Sequence, residues 1–158
     1  MKRFTLRDFV RESNRIEGMR FVKDAEVEAH QSFLNQTTMT VAALKALAFA
    51  LAGHKGVLRD KAGMDVRVGN HLPPRGGIDI HADLCALLED VQARRVTSYA
   101  AHHTYETLHP FMDGNGRTGR ALWLWMRGGI EFAPLGFLHH WYYQTLESRV
   151  PPSEGPTR

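Results

Sequence analysis

Within residues 109–120 the chain gathers a base, His109, a carboxylate, Asp113, three glycines, Gly114, Gly116 and Gly119, and two arginines, Arg117 and Arg120. Glycines this close together cost backbone entropy and pack nothing, so they point to a turn that would strain other residues or to a backbone lying against a ligand. A helix is expected before Pro110 and another through 121–126, which puts the amides of Gly114, Asn115 and Gly116 where a helix begins and unpaired donors collect. That is an anion site. Arg117 and Arg120 are three apart and share one face of the first turn, and two cations at the positive end of a helix dipole make sense around an anion. A row of phosphates would satisfy both. Asp113 would repel such a ligand unless a cation bridged them, and magnesium is the usual bridge. His109 is the one group here able to take a proton near neutral pH. The chemistry these types suggest is transfer of a phosphorus-containing group to a hydroxyl. A glycine-rich turn with solvated charges would explain the glycines but not the base, acid and cations beside them.

Other patterns in the same residues lead elsewhere and fail. Gly114, Gly116 and Gly119 match G-x-G-x-x-G, but a dinucleotide fold needs a preceding strand and an acidic residue about 20 positions on, where His139 stands. Glu106 and His109 have the E-x-x-H spacing of a di-iron helix without the second such pair that site requires. The pairs His102-His103 and His139-His140 fit no zinc spacing and read as surface or core histidines.

The elements that must position these residues follow from length and periodicity. At 158 residues and 43% hydrophobic, the chain is long enough for one domain, about residues 1–150, with its own core; the proline-rich end, 151–158, reads as a disordered tail. A single cysteine excludes an internal disulfide, and Cys85, among Ile80, Leu84, Leu87, Leu88 and Val91, is expected in the core. No apolar stretch reaches the length of a membrane span and no signal peptide is recognisable, so a cytoplasmic protein is expected. The formal charge of +3 suits an anionic ligand, but dispersed basic residues argue against nucleic acid.

Thr5 can cap a first helix, about 6–17, with apolar positions Leu6, Phe9, Val10 and Ile16 and Gly18 at its end. Taken alone, Ser13, Glu17 and Gly18 read as a polar helix face and a glycine cap. Core helices follow at about 23–35, burying Val27, Phe33 and Leu34, and at about 39–52. Val57-Leu58-Arg59 and Asp65-Val66-Arg67-Val68 flank a turn with Gly63, as a short β-hairpin over about 57–69 would. Such a hairpin is either a flap whose edge pairs with an extended peptide or a surface excursion. Further helices are expected at about 78–95, 97–108, through 121–126 and at 137–149.

The segment 109–120 resembles the signature of Fic-domain proteins: histidine-proline-phenylalanine, an acidic residue, a glycine-asparagine-glycine turn and two arginines, with every position filled. The likeness extends over most of the chain, since the family has a helical core and a hairpin flap ahead of the signature. It implies an all-α, Fic-type helical bundle with a small β-hairpin flap. It also implies AMPylation, in which AMP passes from ATP to a serine, threonine or tyrosine hydroxyl of a target protein docked at the flap. By position, His109 would be the base and Asp113 would hold Mg2+. Gly114, Asn115 and Gly116 would steady the α-phosphate, and Arg117 and Arg120 would meet the β- and γ-phosphates. Ser13-x-x-x-Glu17-Gly18 resembles the family's inhibitory motif in its amino-terminal form, in which the glutamate takes the second arginine, here Arg120, from the γ-phosphate. Removal of AMP, the reverse reaction, and homo-oligomerisation stay open, and Tyr142 or Tyr143 is a candidate for adenine. The rivals are a phosphotransferase, a branch that tends to carry lysine where Gly116 stands, and a non-catalytic nucleotide-sensing module.

Overall fold

Threonines start three of the helices that carry the fold, each by accepting a backbone N–H that the first turn leaves unpaired. Thr5 does so for α1 (Leu6–Ile16) in a reciprocal box with Asp8, Thr40 for α3 (Val41–Ala52) and Thr97 for α5 (Ser98–Leu108). Between and after them lie α2 (Asp24–Leu34), α4 (Ile78–Gln92) and α6 (Asn115–Met126). The structure, a computed structural model, describes residues 3–133. Among these the only regular elements are the six α-helices and two short 3-10 turns, so the fold is all-α. The helix expected at 137–149, with His139, His140, Tyr142 and Tyr143, and the tail at 151–158 lie outside the described residues.

The main core joins α3, α4, α5 and α6 through Leu44, Leu47, Ile80, Leu84, Leu88, Tyr105, Ala121 and Leu122. α5 and α6 cross closely because Gly119 carries no side chain: a Cβ there would meet Glu106 Oε1 and the ring of Tyr105. A second cluster fixes α1, as Phe9 and Val10 pack on Trp123, Leu124 and Ala133. The other two buried residues of α1 are polar, Ser13 and Asn14. That seam faces the signature.

Three expectations are corrected. The inward face of α2 is Glu26, His30 and Phe33, whereas Val27 and Leu34 are only partly buried, because Glu26 and His30 belong to a polar network under the signature. Cys85 is half-buried rather than in the core: Leu84 and Leu88 take the inward direction, leaving Cys85 on the flank with Sγ 3.6 Å from His81 Nδ1. The hairpin over 57–69 is not formed. Among the described residues that stretch has only isolated antiparallel bridges, Leu58 to Phe111 and Val68 to His71. Its first residues pair with the signature instead, through Met112 N–H to the Val57 carbonyl at 3.0 Å and Arg59 N–H to the Pro110 carbonyl at 2.9 Å. The physical reason is Arg59, whose fully buried guanidinium gathers carbonyls from four points of the chain and shapes the loop around itself.

Candidate functional site

His109 ends α5 in the left-handed conformation, φ 50° and ψ 63°, an uncommon state for a residue with a side chain. Its N–H closes the last turn on the Tyr105 carbonyl at 2.8 Å, and its own carbonyl accepts from Arg59 Nε at 2.7 Å. Nδ1 is sealed from solvent and makes no hydrogen bond of good geometry, although the Glu106 backbone lies near enough to favour the protonated ring slightly. That leaves Nε2 as the nitrogen able to meet a substrate. Burial, and then the charge of Arg59, hold His109 down to about 4, so the imidazole is neutral at neutral pH. A neutral imidazole can accept a proton.

The loop that follows is tied to its own helix. Asn115 accepts from the Phe111 N–H at 2.8 Å through Oδ1 and donates to the Phe111 carbonyl at 2.7 Å through Nδ2. Its side chain is thereby committed to shaping the loop, so what Asn115 can offer an anion is its backbone amide. Gly114 takes φ 85° as the residue before α6, a conformation glycine adopts without strain. The first intrahelical bond is Thr118 N–H to the Gly114 carbonyl at 3.0 Å, so the amides of Asn115, Gly116 and Arg117 have no acceptor within the helix. Asp113 is exposed beside them, with Oδ1 accepting from the Gly114 N–H at 2.6 Å.

The two arginines diverge. Arg117 turns inward beneath the site, 2% exposed, donating to the Leu51 carbonyl at 3.0 Å with Glu26 Oε1 3.9 Å away. Arg120 turns toward α1. Its Nε donates to Ser13 Oγ at 2.9 Å, and Nη2 donates to the Ser13 carbonyl at 2.9 Å and to Glu17 Oε1 at 2.7 Å. The same oxygen of Glu17 lies so close over Gly116 that a Cβ there would collide with it. The Glu17 carboxylate therefore sits at the amino end of α6, where an anionic ligand would lie. Gly18, φ 77°, turns the chain away immediately afterwards.

The structure thus brings His109, Asp113, Gly114, Asn115, Gly116, Arg117 and Arg120 into one loop and helix start, and sets Ser13, Glu17 and Gly18 against them. Sequence reading missed Arg59, Asn14, Glu26 and His30. Asn14 Nδ2 donates to Glu26 Oε2 and to the Phe21 carbonyl, both at 3.0 Å, and so fastens the end of α1 to α2. His30 Nδ1 lies 2.7 Å from the Glu26 carbonyl, and burial pushes its pKa down. The one signal for these was a polar residue where the helical period called for an apolar one. For Arg59 nothing local gave a signal, since its partners at Leu108 and His109 lie far along the chain.

As to a metal, no group of three or more histidine, cysteine or acidic side chains gathers among the described residues. An exposed Asp113 with one oxygen already hydrogen-bonded fits magnesium, which prefers to arrive with substrate phosphates and needs few protein ligands. Among the described residues no helix is long and apolar enough to cross a membrane. A family model described as Fic/DOC family matches residues 35–126, more than half of the chain, including 109–120 and Arg59. No curated protein matches the chain. Ser13, Glu17 and Glu26 lie before the matched stretch.

Proposed function

The chain belongs to the Fic/DOC family, and from that footing we propose that it is a protein adenylyltransferase, moving AMP from ATP to a hydroxyl of a target protein and restrained by its own α1. The observation that carries this reading is the start of α6. There the amides of Asn115, Gly116 and Arg117 have no acceptor within the helix, a neutral His109 stands just ahead of them on the same loop, and the Glu17 carboxylate lies against Gly116 while it holds Arg120.

In the reaction the hydroxyl oxygen forms a bond to the α-phosphorus, the bond from that phosphorus to the leaving pyrophosphate oxygen breaks, and the hydroxyl proton goes to Nε2 of His109. A positioned base contributes roughly 10²- to 10⁴-fold. The amides of Asn115, Gly116 and Arg117 would stabilise the charge that builds on the phosphate oxygens. Asp113 would hold magnesium, which when bound neutralises phosphate charge and eases departure of pyrophosphate. Arg117, anchored to Leu51 and near Glu26, would add its charge from beneath the amides. Arg120 would meet the γ-phosphate once it leaves Glu17.

Regulation follows from that last exchange. While Glu17 sits over Gly116, a phosphate at the same place meets a carboxylate instead of a cation, so ATP could bind only in an unproductive pose. Holding activity near about 1% takes about 2.7 kcal/mol, within reach of a charge-assisted pair supported by the two Ser13 contacts. The phosphotransferase alternative is less favoured, because position 116 is glycine where that branch tends to carry lysine. Incubating the Glu17→Gly variant with ATP, magnesium and a cell lysate, followed by intact-mass measurement, tests the proposal. A gain of AMP on the chain or on a lysate protein supports it; a gain of phosphate, or of nothing, contradicts it.

A further inference from the structure

α5 ends at Leu108, which leaves its last carbonyls without acceptable donors inside the helix. One distant loop supplies them in sequence. His71 Nε2 lies 2.9 Å from the Thr107 carbonyl, Arg59 Nη2 donates to the Leu108 carbonyl at 2.9 Å, and Arg59 Nε donates to the His109 carbonyl at 2.7 Å. The remaining nitrogen of the fork, Nη1, donates to the Met64 and Pro74 carbonyls at 3.0 and 2.9 Å, which holds the loop in place around it. Three consecutive carbonyls at the end of one helix are thus bound by two side chains twelve positions apart. The last of the three belongs to the histidine itself.

A buried cation is an expensive way to cap a helix, and a neutral donor would serve the carbonyls. Two properties set arginine apart here. Its planar fork holds two neighbouring carbonyls in one fixed geometry, which the freely rotating donors of an ammonium do not impose. This is the restraint that a residue held at φ 50° needs, because that conformation persists only where its surroundings impose it. The fork also places a permanent positive charge beside the imidazole. The groups that face His109 are Arg59 and His71 from the loop and Glu17 from α1, together with the Glu106 backbone on its own helix. Burial, then Arg59 and after it His71, keep the ring unprotonated, against the Glu106 backbone and Glu17.

We propose that Arg59, assisted by His71, is a positioning residue for His109: it clamps the end of α5 so that the imidazole is aimed at the phosphate position. This rests on the reading of His109 as the base.

The test uses the Glu17→Gly chain as parent, with Arg59→Lys, Arg59→Met and His71→Ala added singly. AMP transfer is measured as kcat and as KM for ATP, and the His109 ring is titrated by NMR. A clamp predicts that Arg59→Lys lowers kcat by about 10- to 100-fold with KM within about twofold, since misplacing a reacting group by about 1 Å costs on the order of 10²-fold. It predicts a loss of about threefold in His71→Ala, which keeps the fork. It predicts a His109 midpoint that rises in Arg59→Met and stays near the parent value in Arg59→Lys, whose charge is kept. Should Arg59→Met not fold, Arg59→Lys and His71→Ala decide the matter by their kcat values. Parent-like kcat in both, or losses that match the fraction unfolded by circular dichroism, would overturn the proposal. If the parent itself transfers no AMP, the adenylyltransferase reading fails, and the NMR titration still tests whether Arg59 governs the ring.

Discussion

Glu17 touches Arg120 through Oε1 at 2.7 Å, while Ser13 holds the same guanidinium through Oγ and its carbonyl. Glu17→Gly removes the charged partner and clears the space over Gly116, and the expected outcome is AMP transfer raised about 100-fold, measured with α-labelled ATP. Ser13→Ala removes one neutral acceptor and leaves the others, so a rise of about fivefold is expected in the same assay, in line with about 1 kcal/mol for an ordinary hydrogen bond. If Ser13→Ala activates as strongly as Glu17→Gly, the carboxylate is not the dominant restraint. At this scale the sequence was most legible where chemistry is local. The base, carboxylate, glycines and arginines of 109–120 lie within one loop and one helical turn, so their types and spacing carried the reading. Glu17 was legible only through a resemblance, because from its own residues α1 has a plain polar face. Arg59 was illegible, since the partners it binds at the end of α5 lie some fifty residues away and nothing near it marks a buried cation.

α1 is held by apolar packing at one end and by a polar seam at the other, so its docking can be weakened far from Arg120. Phe9 is fully buried against Trp123 and Leu124. Truncating a buried phenylalanine costs about 3–5 kcal/mol. Phe9→Ala is therefore expected to free α1 in part, raising AMP transfer with Glu17 intact and hastening hydrogen exchange of α1 amides ahead of those of α5. Uniformly faster exchange without activation would mean that α1 is an ordinary structural element. The described helices were legible because their apolar period and, for α1, the Thr5 cap are local signals, and their ends fell within a few residues of expectation. The hairpin was not, because alternating residues at 57–59 pair with the signature rather than with 65–68, a choice made by tertiary contacts. The face of α2 was misjudged for a related reason: Glu26 and His30 are inside because Asn14, Arg117 and the signature are there to meet them.

Taken whole, the molecule joins a matched family region, 35–126, to a leading segment that supplies Glu17, Ser13 and Glu26. Stability should reflect two shielded bases, the fully buried His30 and the half-buried His109. His30 and His109 are both held below the usual histidine value of 6.5, His109 to about 4. A depressed histidine binds fewer protons folded than unfolded, so its contribution is fully present above pH 6.5 and is lost as pH falls toward 4. The melting temperature is expected to drop between pH 7 and pH 5, and His109→Asn should shrink that drop; an unchanged drop would place the pH sensitivity elsewhere. The central claim, a base and phosphate cradle held shut by Glu17, is tested most directly by transfer of label from α-labelled ATP in the Glu17→Gly and Glu17→Gly/His109→Ala chains. Strong labelling in the first and none in the second is the predicted result, and equal labelling in the two, or none in either, would contradict it.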